Sequence, residues 1–170
     1  MKNQKLPGGG ATAFLLTQIG AHAAHKFGAR LKPLDFAPYH AGLLRIVAAR
    51  PGISQQELAQ ALGVHASNLV QIVDELEERS LLERKTSPAD RRQHCLHLTA
   101  KGKEALSKIG EVARQHGQAL LAGLSAAEQA ELNRLLSLVA HEQGLRPGVH
   151  PGYAKMGAKP EPGSRKPRFL

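Results

Sequence analysis

The chain has 170 residues, a formal net charge of +9 and a pI of about 10.1, so it suits one domain with a basic surface. Such a surface favours a polyanion, either nucleic acid or an anionic membrane face. We expect no membrane span, because the apolar runs are far shorter than the roughly 18 residues a bilayer requires. The single cysteine, Cys95, excludes an internal disulfide, and we expect a cytoplasmic protein.

The two ends of the chain differ in composition from the rest. Residues 1–10 include a Gly-Gly-Gly run and predict a flexible N-terminal arm. Residues 146–170 contain several prolines and glycines, and their Lys and Arg residues exceed their single Glu by five charges. Such a segment has little to bury, which predicts a disordered basic tail. We therefore expect one domain over residues 11–145, with much of the net charge outside it.

Helical spacing of apolar residues dominates this domain. It predicts helices over residues 12–31, 39–49 and 100–121, the first stopped by Pro33 and the third opened by Thr99. A last helix begins at an S-x-x-E capping box, in which each side chain bonds the backbone N–H of the other residue. Its box and its apolar face are Ser125, Glu128, Leu132, Leu135, Leu136 and Val139.

Two shorter helices lie in the middle of the chain. A second S-x-x-E box, Ser54 with Glu57, opens the first of them, and Gly63 stands where a left-handed turn would end it. The next helix runs from Ala66 to about Arg79. Its predicted buried stripe is Leu69, Ile72, Val73 and Leu76.

A hairpin is predicted directly after this helix pair. Residues 81–85 and 93–98 flank the turn sequence SPAD, and in the second arm Leu96 and Leu98 share the side opposite Cys95 and His97. Two helices joined by a Gly-containing turn and followed by a basic-tipped hairpin predict a winged helix-turn-helix. The expected fold is mainly α with a small β-wing.

The second helix of such a pair lies in the major groove of DNA with its N-terminal residues at the base edges. Opposite Leu69, the predicted exposed side chains at this end are Ser67, Asn68 and Gln71, which are uncharged and can form hydrogen bonds. Asn and Gln suit bidentate contact with adenine. The C-terminal half of the helix is acidic, so we expect only the first two turns to approach DNA.

The chain resembles the MarR family of bacterial transcription regulators over about two thirds of its length. The most specific part is the wing pattern Asp-x-Arg followed by Leu-Thr-x-x-Gly. The matching segments, in family order, are LKPLDFAPYHAGLL, SQQELAQALGVHASNLVQIVDELEERSLL, PADRRQHCLHLTAKG and LSAAEQAELNRLL. The resemblance implies a homodimer that binds a palindromic operator, usually as a repressor released by a small aromatic or anionic ligand. It places dimerisation helices at about 11–50 and 100–145, and a DNA-binding lobe at about 51–99.

The resemblance also assigns roles around the wing. Arg92 matches the wing arginine that enters the minor groove, Asp90 matches its brace, and Arg91 is expected on a phosphate. Two positions depart from the family pattern. Ser80 stands where a Gly commonly closes the recognition helix, and His65 stands where Ser or Asp often caps it, although a charged His can donate to a phosphate.

The family's ligand crevice lies between the dimerisation helices and the DNA-binding lobe. The candidates for it are His22, His25, Phe36, Tyr39, His40 and Arg45, although each can also be an ordinary core or interface residue. We predict no metal site, no cofactor and no enzymatic activity, since neither a zinc ligand set nor a catalytic set is visible. Two alternatives remain open: an architectural DNA-binding protein without an effector, and a redox- or metal-responsive regulator, although Cys95 on the wing is better explained as a passive strand residue.

Overall fold

The computed structural model describes residues 9–86, 94–150 and 153. This part of the chain forms six α-helices and a three-stranded antiparallel sheet of order β1-β3-β2. The helices are α1 Gly9–Leu31, α2 Pro38–Ala49, α3 Gln55–Leu62, α4 Ala66–Glu78, α5 Ala100–Leu120 and α6 Ala126–Glu142. The strands are β1 Ile53–Ser54, β2 Leu82–Thr86 and β3 His94–Leu98. The predicted fold class, mainly α with a helix-turn-helix and a small β-wing, is confirmed.

The helix-turn-helix begins and turns where its local signals predict. The Ser54 hydroxyl accepts from the Glu57 N–H at 3.1 Å, and the Glu57 carboxylate accepts from the Ser54 N–H at 2.8 Å. Both bonds of the capping box are therefore present. Gly63 ends α3 in the left-handed conformation, with φ of 72°, which glycine adopts at little cost.

Two local features differ from the sequence-based expectation. Helix α1 begins at Gly9, inside the segment expected to be a flexible arm, and β1 was not predicted. Strand β1 pairs Ile53 with Leu96 and Ser54 with Cys95, but a two-residue strand is too short to show an alternating pattern. Ser80 has a φ of 58°, so a serine occupies the left-handed position that a glycine would favour.

The buried core unites α2, the helix-turn-helix and the wing. Its fully buried members include Leu43, Leu44, Leu58, Leu69, Leu76, Leu81, Leu82 and Leu96. Helix α6 differs, because none of its residues is buried. The predicted apolar stripe is present on it but lies on the surface of this chain, with Leu135 46% and Val139 48% exposed.

The start of α5 is fixed to the base of the wing. The Thr99 hydroxyl accepts from the Gly102 N–H at 2.9 Å and donates to the Ser80 carbonyl at 2.7 Å. The Thr99 N–H donates to the Leu81 carbonyl at 3.2 Å. The predicted N-cap therefore also holds α5 against the end of the recognition helix and the first wing strand.

Several residues that follow α6 contact the body of the protein. Arg146 donates to the backbone carbonyl of Gln60 at 2.5 Å, and Tyr153 is only 4% exposed. Both fall within the segment predicted to be a disordered tail from residue 146. Residues 1–8, 151–152 and 154–170 lie outside the described residues, so the boundaries of the arm and tail stay predictions.

Candidate nucleic-acid interface

The N-terminal half of α4 presents the predicted reading face. Ser67 and Gln71 are exposed and Asn68 is partly exposed. His65 takes the N-cap position with extended backbone, and its side chain makes no capping hydrogen bond. It is also exposed, so its ring lies beside the end of the helix that favours an anion.

Val70 belongs to the same face and was missed from the sequence. Its side chain is 42% exposed, whereas Leu69 and Val73 on the same helix are buried. An exposed aliphatic group on a recognition helix can contact the methyl group of thymine. The available signal was an apolar residue out of phase with the buried stripe.

The acidic C-terminal half of α4 is paired within its own lobe. Arg84 of β2 lies 2.5 Å from the Asp74 carboxylate and also forms an ion pair with Glu77. The Arg84 N–H donates to Glu77 as well, at 3.3 Å. These contacts offset negative charge that would otherwise repel DNA phosphates, and they fix α4 to the wing.

Glu75 connects α4 to α2 through a buried histidine. The Nδ1 atom of His40 accepts from the Ala37 N–H at 3.0 Å, so Nε2 carries the proton and faces the Glu75 carboxylate at 3.3 Å. Arg79 also pairs with Glu75, at 3.1 Å. Burial lowers the pKa of His40, and the attraction of Glu75 opposes this shift without reversing it. His40 is therefore neutral near neutral pH and links two helices.

The wing tip, residues 87–93 with Asp90, Arg91 and Arg92, lies outside the described residues. The strands that carry it are described, and they pair from Leu82 with Leu98 to Thr86 with His94. The predicted hairpin is confirmed by this pairing. Cys95 sits partly exposed in β3, opposite Ser54 and Lys85.

The residues predicted for an effector pocket fall into separate places. His22 and His25 are exposed on α1, and His22 lines a basic cavity of about 300 Å³ with Lys26, Arg30 and His116. Tyr39 and His40 adjoin each other on α2, with ring centroids 4.2 Å apart. Arg45 is exposed and donates to the Gly148 carbonyl.

Phe36, another of the predicted effector residues, lines a separate cleft that combines apolar and cationic groups. It has a volume of about 340 Å³ and lies where the α1–α2 connection meets the end of α4 and the start of α5. The Arg79 guanidinium stands 4.5 Å from the centroid of the Phe36 ring. Glu104 also lines the cleft and pairs with Lys108 at 2.8 Å. The apolar wall together with Arg79 and Lys101 suits an aromatic carboxylate. The lining residues are Leu34, Phe36, Arg79, Leu81, Lys101, Glu104, Ala105 and Lys108.

Across residues 9–86, 94–150 and 153, no three His, Cys, Asp or Glu side chains come together as a metal site. None of the helices in these ranges combines the length and apolar content that crossing a bilayer requires.

Comparisons with known proteins agree with this geometry. The MarR family model matches residues 33–93. In structure, the chain is similar to the transcriptional repressor CouR bound to a 23-mer DNA duplex, with 30% identity and a TM-score of 0.69, covering 81% of this chain and 99% of that one. The chain belongs to the MarR family.

Two other similar proteins add detail. A transcriptional regulatory protein for the hcr operon of Thauera aromatica is 41% identical over 106 residues, which cover 62% of this chain and 64% of that relative. A MarR family protein of Mycobacterium tuberculosis in complex with salicylic acid is 28% identical, with a TM-score of 0.61 over 80% of this chain and 98% of that one.

Proposed function

We propose that this MarR-family chain is a sequence-specific transcription regulator that binds a palindromic operator as a homodimer and is released by a small aromatic anion. The observation that carries the proposal is the division of α4. Its N-terminal half exposes uncharged hydrogen-bonding side chains. Further along, Asp74 and Glu77 pair with Arg84 of the wing, and Glu75 pairs with Arg79 and with His40 of α2. Because the regulator acts on DNA, we expect it in the cytoplasm.

Base readout is assigned to the first two turns of α4. Gln71 and Asn68 suit adenine, and Val70 suits a thymine methyl. Ser67 and His65 lie nearest the helix start, where phosphates are favoured. In the wing, the family resemblance supports Arg92 in the minor groove, Arg91 on a phosphate and Asp90 as a brace.

The homodimer is supported by apolar surface that the chain leaves uncovered. On α1 and α6, large aliphatic and aromatic side chains are about half exposed, and α6 buries none of its residues. Exposed apolar surface of this kind is typical of interaction sites, and the relevant members are Phe14, Leu15, Leu16, Ile19, Leu135, Leu136, Leu138 and Val139.

The effector is assigned to the cleft of Phe36 and Arg79. The aromatic ring of such an anion can stack beside the Phe36 ring while its carboxylate pairs with the Arg79 guanidinium. The similarity to a salicylic acid complex supports this class of ligand. Salicylate is therefore the probe: calorimetry should detect binding that Arg79→Gln weakens, whereas Arg114→Gln, which breaks a Glu111 pair on the exposed face of α5, should leave binding unchanged.

The test of operator reading is the ratio of specific to non-specific affinity at fixed salt. Genomic fragments captured by the purified protein supply the specific site, and scrambled DNA supplies the reference. An operator reader should prefer its site by at least about a thousand-fold. A steep salt dependence without that preference would instead support an architectural protein.

Single substitutions test the individual roles. Gln71→Ala should cost roughly 1–3 kcal/mol at one base-pair position and relax specificity there. Glu78→Ala, at the far end of the same helix, is the matched control and should leave base preference unchanged. Arg92→Ala should weaken operator binding more than Arg91→Ala, and equal losses would remove the distinction between the two arginines.

A further inference from the structure

We propose that the segment after α6 is an intramolecular latch, anchored by Tyr153, that docks on α2 and α3 and holds the helix-turn-helix in its operator-binding position. The latch is defined as residues 146–150 together with Tyr153. Its seat is the surface of α2 formed by Tyr39, Gly42 and Arg45. The docking itself does not depend on the function proposed above, whereas its effect on operator binding rests on that function.

Tyr153 anchors the latch through a buried phenol. The side chain belongs to the hydrophobic core cluster, and its hydroxyl donates to the Tyr39 backbone carbonyl. Burial raises the pKa of Tyr153 to about 12. A tyrosine on the protein surface keeps its hydroxyl group in contact with water. Tyr153 instead buries its hydroxyl group, so it occupies a site that fits this side chain.

Gly42 makes the seat possible. A Cβ atom at this position would overlap the phenol oxygen of Tyr153 and would lie 3.0 Å from its Cζ atom. Gly42 stands within α2, where glycine is less favourable than alanine by about 1 kcal/mol. The helix thus carries an unfavourable residue at a position where the phenol of Tyr153 lies against its backbone.

Two arginines fasten the rest of the latch. Arg45 of α2 donates to the Gly148 carbonyl. Arg146 donates to the carbonyls of Gln60 and Ala61, at 2.5 Å and 3.5 Å, at the C-terminal end of α3. The Gln60 carbonyl also accepts from the Gly63 N–H at 3.2 Å, so Arg146 adds a second donor there, and a cation at the C-terminal end of a helix interacts favourably with the helix dipole.

The position of these contacts gives the latch its effect. Arg146 caps α3 directly before the turn into the recognition helix, and Tyr153 holds α2, which packs on the same core. Helix α6, which precedes the latch, buries none of its own residues. The latch is therefore a tie between the proposed dimerisation helix and the DNA-binding lobe of its own chain.

A double-mutant cycle on thermal stability tests the docking. Gly42→Ala should lower the melting temperature in the wild-type chain, because the new methyl group ejects Tyr153. In a Tyr153→Ala background the same change should raise it, because only the helix propensity gain remains. Gly110→Ala, an exposed α5 position with open space around it, should raise it in both backgrounds.

The decisive result is that Gly42→Ala changes the melting temperature in opposite directions in the two backgrounds. If Gly42→Ala fails to fold while the double variant folds, the latch is also supported. If Gly42→Ala has the same effect in both backgrounds, or if neither variant folds, Tyr153 does not occupy the seat and the proposal is wrong.

Fluorescence gives a direct measurement of the anchor. The chain has two tyrosines and no tryptophan, so Tyr39→Phe leaves Tyr153 as the only emitter. Acrylamide should quench this emission several-fold less than it quenches N-acetyltyrosinamide, and adding Gly42→Ala should restore full quenching. Full quenching before Gly42 is changed would show an undocked tyrosine and overturn the latch.

Operator affinity then separates the latch from the proposed function. Tyr153→Ala should weaken operator binding roughly ten-fold if the operator-competent arrangement falls to about a tenth of the population, with little change on scrambled DNA. If the wild-type chain shows no operator preference, the proposed function fails while the stability cycle still decides the docking. If the preference exists and Tyr153→Ala leaves it unchanged, the positioning role is wrong.

Discussion

Gly102 lies where the first turn of α5 touches the base of the wing, and replacing it with alanine should separate the two. A Cβ atom there would overlap the Leu81 carbonyl oxygen and lie 3.0 Å from the carbonyl carbon and 3.4 Å from Cα. The obstacle is backbone, which cannot rotate aside as a side chain can. The same carbonyl accepts the Thr99 N–H at 3.2 Å, so moving it also strains the N-cap of α5.

The stability that Gly102→Ala should lose follows from three effects. Overpacking costs about 1–3 kcal/mol, and weakening one backbone hydrogen bond adds about 1 kcal/mol. Alanine stabilises a helix by about 1 kcal/mol relative to glycine, which offsets part of this loss. The net loss is about 2 kcal/mol, or a fall of roughly 4–8 °C in melting temperature for a chain of this size.

Circular dichroism during heating measures this loss. Gly110→Ala, eight residues further along α5 with nothing within 4 Å of its Cβ position, should instead raise the melting temperature. Operator affinity of Gly102→Ala, measured well below its melting temperature, should also fall, because the wing loses its fixed connection to α5. If the two variants are equally stable, the close approach of α5 to Leu81 is not what requires a glycine in the Leu-Thr-x-x-Gly pattern.

Three further variants test the contacts around α4. His40 has a lowered pKa in the folded state, so below about pH 6.5 the unfolded chain binds more protons than the folded one, and the free energy of unfolding falls as the pH drops. His40→Gln, which can still accept from the Ala37 N–H, should make the free energy of unfolding depend less on pH in this range. Arg84→Ala should cost about 1–2 kcal/mol in urea unfolding and weaken operator binding, whereas Lys85→Ala, on the next residue of β2, should do neither. Val70→Ala should leave the melting temperature unchanged but reduce affinity for operators with a thymine at one position; an equal loss for all operators would refute a methyl contact.

The helix-turn-helix is the part of the fold that sequence reasoning predicted best, and the cause is local. Ser54, Glu57 and Gly63 act on neighbours three or four residues away, so a window of the sequence contains the whole interaction. The apolar stripe of α4 is local in the same sense, since its residues are brought together by the helix alone. Such features do not depend on how the chain closes around them.

The contacts that sequence reasoning missed join residues of different helices and strands. Arg84 meets Asp74 through the return of β2 onto α4, and Tyr153 reaches Tyr39 across 114 positions. The tail composition predicted disorder because prolines and charges outnumber apolar residues there, yet Tyr153 opposite Gly42, together with Arg45 and Arg146, holds part of the segment against α2 and α3. The predicted effector residues separated for the same reason, because helical spacing fixes which residues share a face but not which faces meet.

The two arginines that pair with acidic residues of α4 differ in the other groups that they contact. Arg84 forms ion pairs with Asp74 and Glu77 on the wing side. Arg79 is shared: it pairs with Glu75 at 3.1 Å, approaches Asp35 at 3.7 Å and also lines the cleft beside Phe36. An anion in that cleft would therefore compete with Glu75 for one guanidinium and leave the Arg84 pairs intact. On this geometry, we expect the proposed effector to act on the end of α4 nearest α5, where Arg79 and Glu75 pair.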